Sequence, residues 1–390
     1  MTALSNSLIS AYPLDQPTKT YLHDTMNDNN SNNETSVNET TASKLLRNYQ
    51  LPAQFYARYS LGQELGSGGF GFVVSVKERS TGLERAVKFI YKNKVPSSAW
   101  VIHQGQKLPM EIYVLKNVQH CNIVGYVDSF EDETYYYLVM ELHGSQWNQP
   151  SLPTTTTPAH IPGLSHTSEP SDDDDDSEVD DKEADEEEDR RTGDEDYPIT
   201  IGRRGSCDLF ECIEQHRTFD ESLAKIIFRQ IVECVAHLDK MGICHRDIKD
   251  ENIVIDSNYK VKLIDFGSAV TLPRHYQTKD KASSKSAIVL HRKFYGTIAF
   301  ASPEILRMEP YQAEPAEVWS LGILLYTLIY GEVPFANPRM ALSAQLAPPS
   351  TNSPKVSSKC WHLISCLLEK APRRRPTVHQ ILTHPWLRQQ

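Results

Sequence analysis

His245-Arg246-Asp247-Ile248-Lys249-Asp250-Glu251-Asn252 sets an acid, a cation and an amide within eight residues, and Asp265-Phe266-Gly267 follows thirteen residues after Asn252. In that order these groups suit one kind of chemistry, transfer of a phosphoryl group from a metal-bound nucleotide to a hydroxyl. Asp247 is placed to orient the attacking hydroxyl and accept its proton, and Lys249 to neutralise the moving group. Asn252 and Asp265 offer hard oxygens to Mg2+, which takes few protein carboxylates and fills its shell with phosphate oxygens and water. A bland alternative, an acidic turn on a surface loop, leaves the recurrence of base, cation and amide at this spacing unexplained.

Upstream, Gly66-Ser67-Gly68-Gly69-Phe70-Gly71 with Val73 fits GxGxxGxV, preceded by Leu65. Glycines let a backbone approach phosphates with no Cβ in the way. The pattern alone is weak, but a strand follows Gly71, whereas a dinucleotide-binding turn would open a helix. Ala86-Val87-Lys88 comes fifteen residues after Val73 on a predicted third strand. Lys88 reads as the cation for the α- and β-phosphates, with Glu111 on the following helix as its partner. Glu111 as a plain surface residue is the open alternative; Glu133 and Glu141 are worse placed.

The elements that must position these groups follow from periodicity. Residues 61–92 read as three strands, 108–118 as a helix and 122–141 as two more strands. Later, Leu223, Ile227, Ile231 and Val235 recur every fourth residue, and 318–329 is apolar nearly all round, as a helix central to a lobe should be. The expected fold is α+β and bilobal: a small antiparallel β N-lobe with one main helix, and a larger helical C-lobe. The expected bounds are a disordered Asn/Ser/Thr-rich segment 1–54, N-lobe and hinge 55–143, a disordered acidic insert 144–205 and C-lobe 206–387.

The net charge of −11 belongs to the insert. Residues 171–196 hold seventeen Asp and Glu against Lys182, Arg190 and Arg191, so this stretch carries −14 and the remainder +3. An acidic block repels phosphate and disfavours a nucleic-acid role. Seven cysteines without zinc spacing, no leader-like start, and a longest apolar run (321–330) too short for a bilayer point to a reducing compartment, cytoplasmic or nuclear.

These motifs resemble those of the eukaryotic protein kinase superfamily over about residues 59–387, the acidic insert apart. Gly296-Thr297, Ser302-Pro303-Glu304, Trp319-Ser320-Leu321-Gly322 and Arg375 agree with it, and His384-Pro385-Trp386-Leu387 is similar to the end of the calcium/calmodulin-dependent group. Met140-Glu141-Leu142-His143-Gly144-Ser145, Cys207-Asp208-Leu209-Phe210 and the runs around His245 and Leu263 resemble PAS-domain kinases most, with Pim-type kinases next. The resemblance implies an ATP- and Mg2+-dependent protein serine/threonine kinase. In it Leu65, Ala86 and Val254 join the nucleotide site, Met140 is the gatekeeper, and backbone groups of Glu141 and His143 meet adenine. Arg375 would pair with Glu304. A sensory PAS module, on the order of 100 residues, would not fit ahead of Tyr59.

Three positions depart from the family pattern. Ser302 replaces the usual Ala, Glu317 the common Asp that braces the catalytic loop, and Lys293 stands where many relatives carry a phosphorylatable threonine. Arg246 would hold that phosphate, so activity without it is expected. Asp208 and Glu251 align with carboxylates that read arginine upstream of the target hydroxyl; Asp208 as a simple helix cap is the competing reading. Arg203-Arg204-Gly205-Ser206 is either an autophosphorylation site or a basic turn. The acidic block either lies against the basic activation loop, residues 274–293, or is a solvated tail. A catalytically dead scaffold usually lacks one of Lys88, Asp247, Asn252 and Asp265, and all four are here. An interaction protein working through its acidic block stays as the rival from another class.

Overall fold

The computed structural model describes residues 39–147, 201–272, 288–350 and 353–388. The acidic block and most of the basic activation loop, and with them their expected contact, lie outside the described residues.

The N-lobe is a sheet of β1 (Tyr59–Gly68), β2 (Gly71–Glu78), β3 (Glu84–Tyr91), β6 (Tyr126–Glu131) and β7 (Tyr135–Glu141), all antiparallel in the order β1-β2-β3-β7-β6. A short hairpin, β4 (Trp100–His103) and β5 (Gln106–Pro109), precedes helix α3 (Met110–Asn117). The expected helix 108–118 therefore starts two residues late, because Leu108 is spent in β5 and Pro109 fixes the turn into α3. Alternation along β3 sorts the lobe into two faces. Ala86 and Ile90 point toward α3, with Lys88 in phase between them, while Val87 and Phe89 join an aromatic cluster on the other face.

That outer cluster corrects the expected start of order. Helix α1 (Thr41–Leu46), capped by Thr40, and α2 (Ala53–Arg58) cover it with Ala42, Leu46 and Phe55, each essentially inaccessible. Phe72 and Phe89 stack with ring centroids 4.7 Å apart, and Phe55 lies 5.2 Å from Tyr137. A sheet this apolar on both faces must be covered on both, and burying each such ring contributes roughly 1.5–3 kcal/mol. One helical turn in a polar stretch gave no periodic signal. Residues 201–205, expected within the insert, also have definite structure: Ile201 is buried in the same cluster.

The C-lobe follows with α4 (Leu209–His216), α5 (Glu221–Lys240), β8 (Ile243–Cys244), β9 (Ile253–Ile255), β10 (Val261–Leu263) and β11 (Val270–Thr271). Next come α6 (Pro303–Leu306), α7 (Ala313–Tyr330), α8 (Pro338–Ser343), α9 (Ser358–Leu367) and α10 (Val378–Leu382). On α5 the stripe Ile227, Ile231 and Val235 is buried, and Leu223 packs partly against the same core. Helix α7 is buried on every side, as its sequence predicts. No helix among the described residues is long and apolar enough to cross a membrane.

Candidate active site

Lys88 reaches from β3 into the crevice between the lobes. Its Nζ lies 2.8 Å from Glu111 Oε1 and 2.8 Å from Asp265 Oδ1. Of the three glutamates weighed from sequence, the structure pairs Lys88 with Glu111, on the first turn of α3. Glu141 instead accepts from Gly125 N–H at 2.7 Å and meets Lys262 at 2.6 Å. Burial opposes the Lys88 charge, but the carboxylates of Asp265 and Glu111 outweigh it and hold its pKa above the ordinary value. One ammonium cannot compensate two acids equally, and Glu111 is the buried one while the Asp265 side chain is partly exposed. Asp265, although loss of solvent works against its charge, is held down to about 2 by Lys88 and Gly267 N–H, while burial lifts Glu111 to about 7 against the pull of Lys88.

The hairpin of β1 and β2 forms the roof, closing through the register Ser67↔Phe72 and Gly68↔Gly71, with Gly69 and exposed Phe70 at its tip. A Cβ on Gly66, Gly68 or Gly69 would meet no protein atom within 4 Å. Internal packing thus does not demand glycine there; approach of phosphate to the backbone would. Leu65 and Val73 are partly buried, Ala86 is buried opposite Met140 across the β3–β7 ladder, and Val254 lies on β9. Met140 ends the buried run of β7 before Glu141 and the hinge. The His143 N–H makes no backbone hydrogen bond among the described residues.

On the C-lobe side, Asp247 is held at both oxygens. Oδ1 accepts from Thr297 N–H at 3.0 Å and Thr297 Oγ1 at 3.1 Å, and Oδ2 from Asn252 Nδ2 at 3.0 Å. Asn252 Nδ2 also donates to the Asp247 carbonyl at 2.8 Å, and Ile264 N–H donates to the Asn252 carbonyl at 2.9 Å, which draws Asp265 alongside. Lys249 Nζ is 2.5 Å from Glu251 Oε2. Thr297 as the clamp on Asp247 was not singled out from sequence, although its place just after Gly296 was the available signal.

Two residues here take backbone conformations that L side chains avoid: Arg246 at φ 65° and Asp265 at φ 62°. Each costs on the order of 1 kcal/mol and needs an anchor. For Arg246 the anchor is Glu317, whose Oε2 accepts the Arg246 N–H at 2.7 Å. The longer acid fills the bracing role expected of Asp. Burial pushes Glu317 up to about 7, even with hydrogen bonds from the Arg246 and His245 backbone and the Cys244 thiol.

That shift carries a pH prediction. A carboxyl whose folded pKa lies above its unfolded value contributes stability that is fully present below about 4.5 and lost as pH rises through about 7. Glu317→Gln cannot ionise, so it should cost stability at pH 5 by a weakened acceptor set and lose less on going to pH 8. The gap between variant and native protein should narrow by up to about 3 kcal/mol across that range. Urea midpoints at pH 5 and pH 8 measure it; a constant gap would mean Glu317 is not ionising within the window.

Asp208, proposed as an arginine reader, is the N-cap of α4: Oδ1 accepts from Glu211 N–H at 2.9 Å and Oδ2 from Ser206 Oγ at 2.6 Å. Burial raises its pKa, and the charges of Glu211 and Glu251 push the same way.

Comparison with known sequences agrees with this geometry. The protein kinase domain family model matches residues 59–152 and 199–387. A mouse PAS domain-containing serine/threonine-protein kinase is 34% identical over 335 residues, covering 85% of this chain and 18% of its own length. The budding-yeast serine/threonine-protein kinase PSK1 is 31% identical over 331 residues, 83% of this chain and 19% of the relative. Zebrafish serine/threonine-protein kinase pim-2 is 30% identical over 343 residues, 85% of this chain and 86% of the relative. The chain thus spans about a fifth of the first two relatives and most of the third. With a paired strand lysine, a clamped catalytic-loop aspartate and this span of matched sequence, the chain belongs to the protein kinase domain family.

Proposed function

We propose that this protein transfers the γ-phosphoryl group of ATP to serine and threonine hydroxyls that follow basic residues. The observation that carries the reading is the convergence of Lys88 and Glu111, from the N-lobe wall of the crevice, with Asp265, Asp247, Asn252 and Lys249 on the C-lobe wall. Lys88, fixed by two carboxylates, would hold the α- and β-phosphates. Asp247, fixed by Thr297 and Asn252, would orient the acceptor hydroxyl and take its proton, and Lys249 would offset charge on the moving group.

The donor set suits Mg2+. Asn252 Nδ2 is spent on Asp247, and Lys88 and Gly267 use Asp265 Oδ1, so Asn252 Oδ1 and Asp265 Oδ2 keep their lone pairs free of protein donors among the described residues. Two hard protein oxygens are what a cation completed by phosphate and water takes. Asn252 and Asp265 would hold the ion, and the chemistry it would supply is positive charge to offset that of the phosphates.

Activity without activation-loop phosphate fits the surroundings of Arg246. Its Nε donates to the Ser268 carbonyl at 2.7 Å and its guanidinium lies 5.6 Å from the Tyr295 ring centre. His291 and Tyr311 exchange backbone hydrogen bonds of 2.8 and 2.9 Å, and Tyr311 Oη donates to the Lys293 carbonyl at 3.0 Å. These contacts would hold the end of the loop in the unphosphorylated protein.

Basophily rests on Asp208 and Glu251, close enough for the Glu251 charge to add to the burial that raises Asp208. A guanidinium between them would relieve that repulsion. Capping and recognition can be separated, because Asn caps as well as Asp. Unphosphorylated protein should phosphorylate a peptide with Arg three residues before Ser. Asp208→Asn with Glu251→Gln should lower kcat/KM on it roughly 10- to 100-fold, the worth of one or two charge-assisted hydrogen bonds. A matched Ala peptide should change less than about threefold. Equal kcat/KM for both peptides on the native protein would end the basophilic reading.

A further inference from the structure

Residues 201–208 run from the roof of the nucleotide crevice to its floor. At one end they form a parallel bridge with the free edge of β1: Glu64 N–H donates to the Gly202 carbonyl and Arg204 N–H to the Glu64 carbonyl, both at 2.8 Å. At the other end Asp208 bridges Val254, and Ile255 N–H donates to the Cys207 carbonyl at 3.0 Å. Glu64 immediately precedes Leu65 of the roof, and Val254 belongs to the floor. Five residues separate the bridges at 203 and 208, a reach of at most about 17 Å. The two surfaces cannot part further than that on this side without breaking a bridge.

The roof end is anchored into the core. Ile201 is buried beside Ala42 and Leu46, and its carbonyl accepts from Thr40 Oγ1 at 2.7 Å. Glu64, itself buried at the irregular register of β1, accepts the Ala42 N–H of α1 at 2.6 Å. Arg204 reaches Glu84 on β3 at 3.2 Å. The hinge meanwhile settles on the C-lobe before residue 147: Ser145 N–H donates to the Ile255 carbonyl at 3.1 Å, and the Trp147 ring lies 5.4 Å from His216. The chain therefore crosses to the C-lobe at the hinge, is found again on the N-lobe at 201, and crosses back by 208. The two crossings touch. A Cβ on Gly144, at φ +105°, would come within 2.6 Å of Cys207 Cβ.

The geometry points to residues 201–208 as a second interlobe strap that positions the nucleotide roof over its floor, with Glu64 as the positioning residue through which it acts. The inference deepens the kinase reading and rests on it for the identity of the ligand. Apart from Asp208 at its floor end, the strap has no part in holding phosphate or acceptor. It sets the fraction of molecules whose roof and floor are in register, and apparent affinity scales with that fraction.

Arg204→Pro removes the N–H that bonds Glu64, and Arg204→Ala removes only the ion pair with Glu84. Ile201→Asp unseats the anchor, and Ile201→Val keeps it. Arg204→Pro and Ile201→Asp should each raise KM for ATP and the Kd of a fluorescent N-methylanthraniloyl ATP about fivefold or more. In both, kcat and peptide KM should stay within about twofold, and the Ala and Val controls should match native protein in all three constants. Should Ile201→Asp fail to fold, Arg204→Pro at the surface decides alone. Unchanged nucleotide affinity in Arg204→Pro, or an equal rise in peptide KM, would overturn the strap. Native protein that binds the analogue but phosphorylates no peptide would overturn the kinase reading and leave the strap judged on nucleotide affinity.

Discussion

Asp265→Asn lowers phosphoryl transfer about 10³-fold or more and leaves the fold standing, as expected where one preorganised charged group is lost from a reaction centre. The fold should hold because the Asn carbonyl can still accept the Gly267 N–H, now 3.2 Å from Oδ1, and face Lys88. Lys88 does not lose its place either. The Asp265 charge is one of the influences that raise Glu111, so its removal eases Glu111 back toward an ordinary carboxylate and tightens its pair with Lys88. The loss therefore falls on the hard anionic oxygen offered to the metal-bound nucleotide. Steady-state kcat on peptide, with thermal unfolding alongside, measures it. A kcat within tenfold of native would mean that Asp265 is not a metal-side ligand.

The chemistry was legible because it lies in short runs whose spacing the reaction itself dictates. Lys88, Glu111, Asp247, Asn252 and Asp265 were each nominated by type and distance along the chain, and the structure draws them to one crevice. The long periodic elements were legible for a similar reason: α5 repeats its stripe from Leu223 to Val235, about three and a half turns, and α7 is apolar all round. Short elements were not. Helix α1 has six residues, too few for a period to emerge from a Thr- and Asn-rich stretch, and only tertiary contact with Phe55 and the sheet makes it worth forming. Ile201 ends a short stretch with Tyr197 and Ile199 at the far end of an acidic run, too brief to show a period. Its burial depends on an edge of β1 that becomes visible only when the sheet is assembled. Thr297 escaped for another reason, since its backbone N–H and hydroxyl act together on Asp247 from 50 residues away.

The same distinction between local and assembled information applies to Asp208. As an acid before an amphipathic helix it reads equally as a cap and as a ligand for a basic peptide. The structure puts one oxygen on the cap and the other on Ser206. The two roles are compatible, because a carboxylate has about four lone-pair directions and the cap takes one.

Arg375→Met destabilises the protein by roughly 3–5 kcal/mol, the cost of stranding a buried charge, and lowers Tm on the order of 10 °C. Arg375 has no exposed side-chain surface and spends all five of its N–H donors. Nη1 and Nη2 grip Glu304 at 2.7 and 2.8 Å and also reach the carbonyls of Pro315 at 2.8 Å and Lys370 at 3.3 Å, while Nε donates to Glu369 O at 2.8 Å. The pair thus ties the α6 turn after the activation segment to α7 and to the chain ahead of α10. Lysine cannot replace this fork, since its three donors diverge from one point, so Arg375→Lys should recover less than half of the loss. The decisive variant removes the stranded charge as well. Glu304→Gln combined with Arg375→Met should be at least about 2 kcal/mol more stable than the sum of the single changes predicts. Urea unfolding of the four proteins measures that coupling. Additive losses would mean that Glu304 finds another partner when Arg375 is gone, and that the turn is held by packing around Trp319 alone.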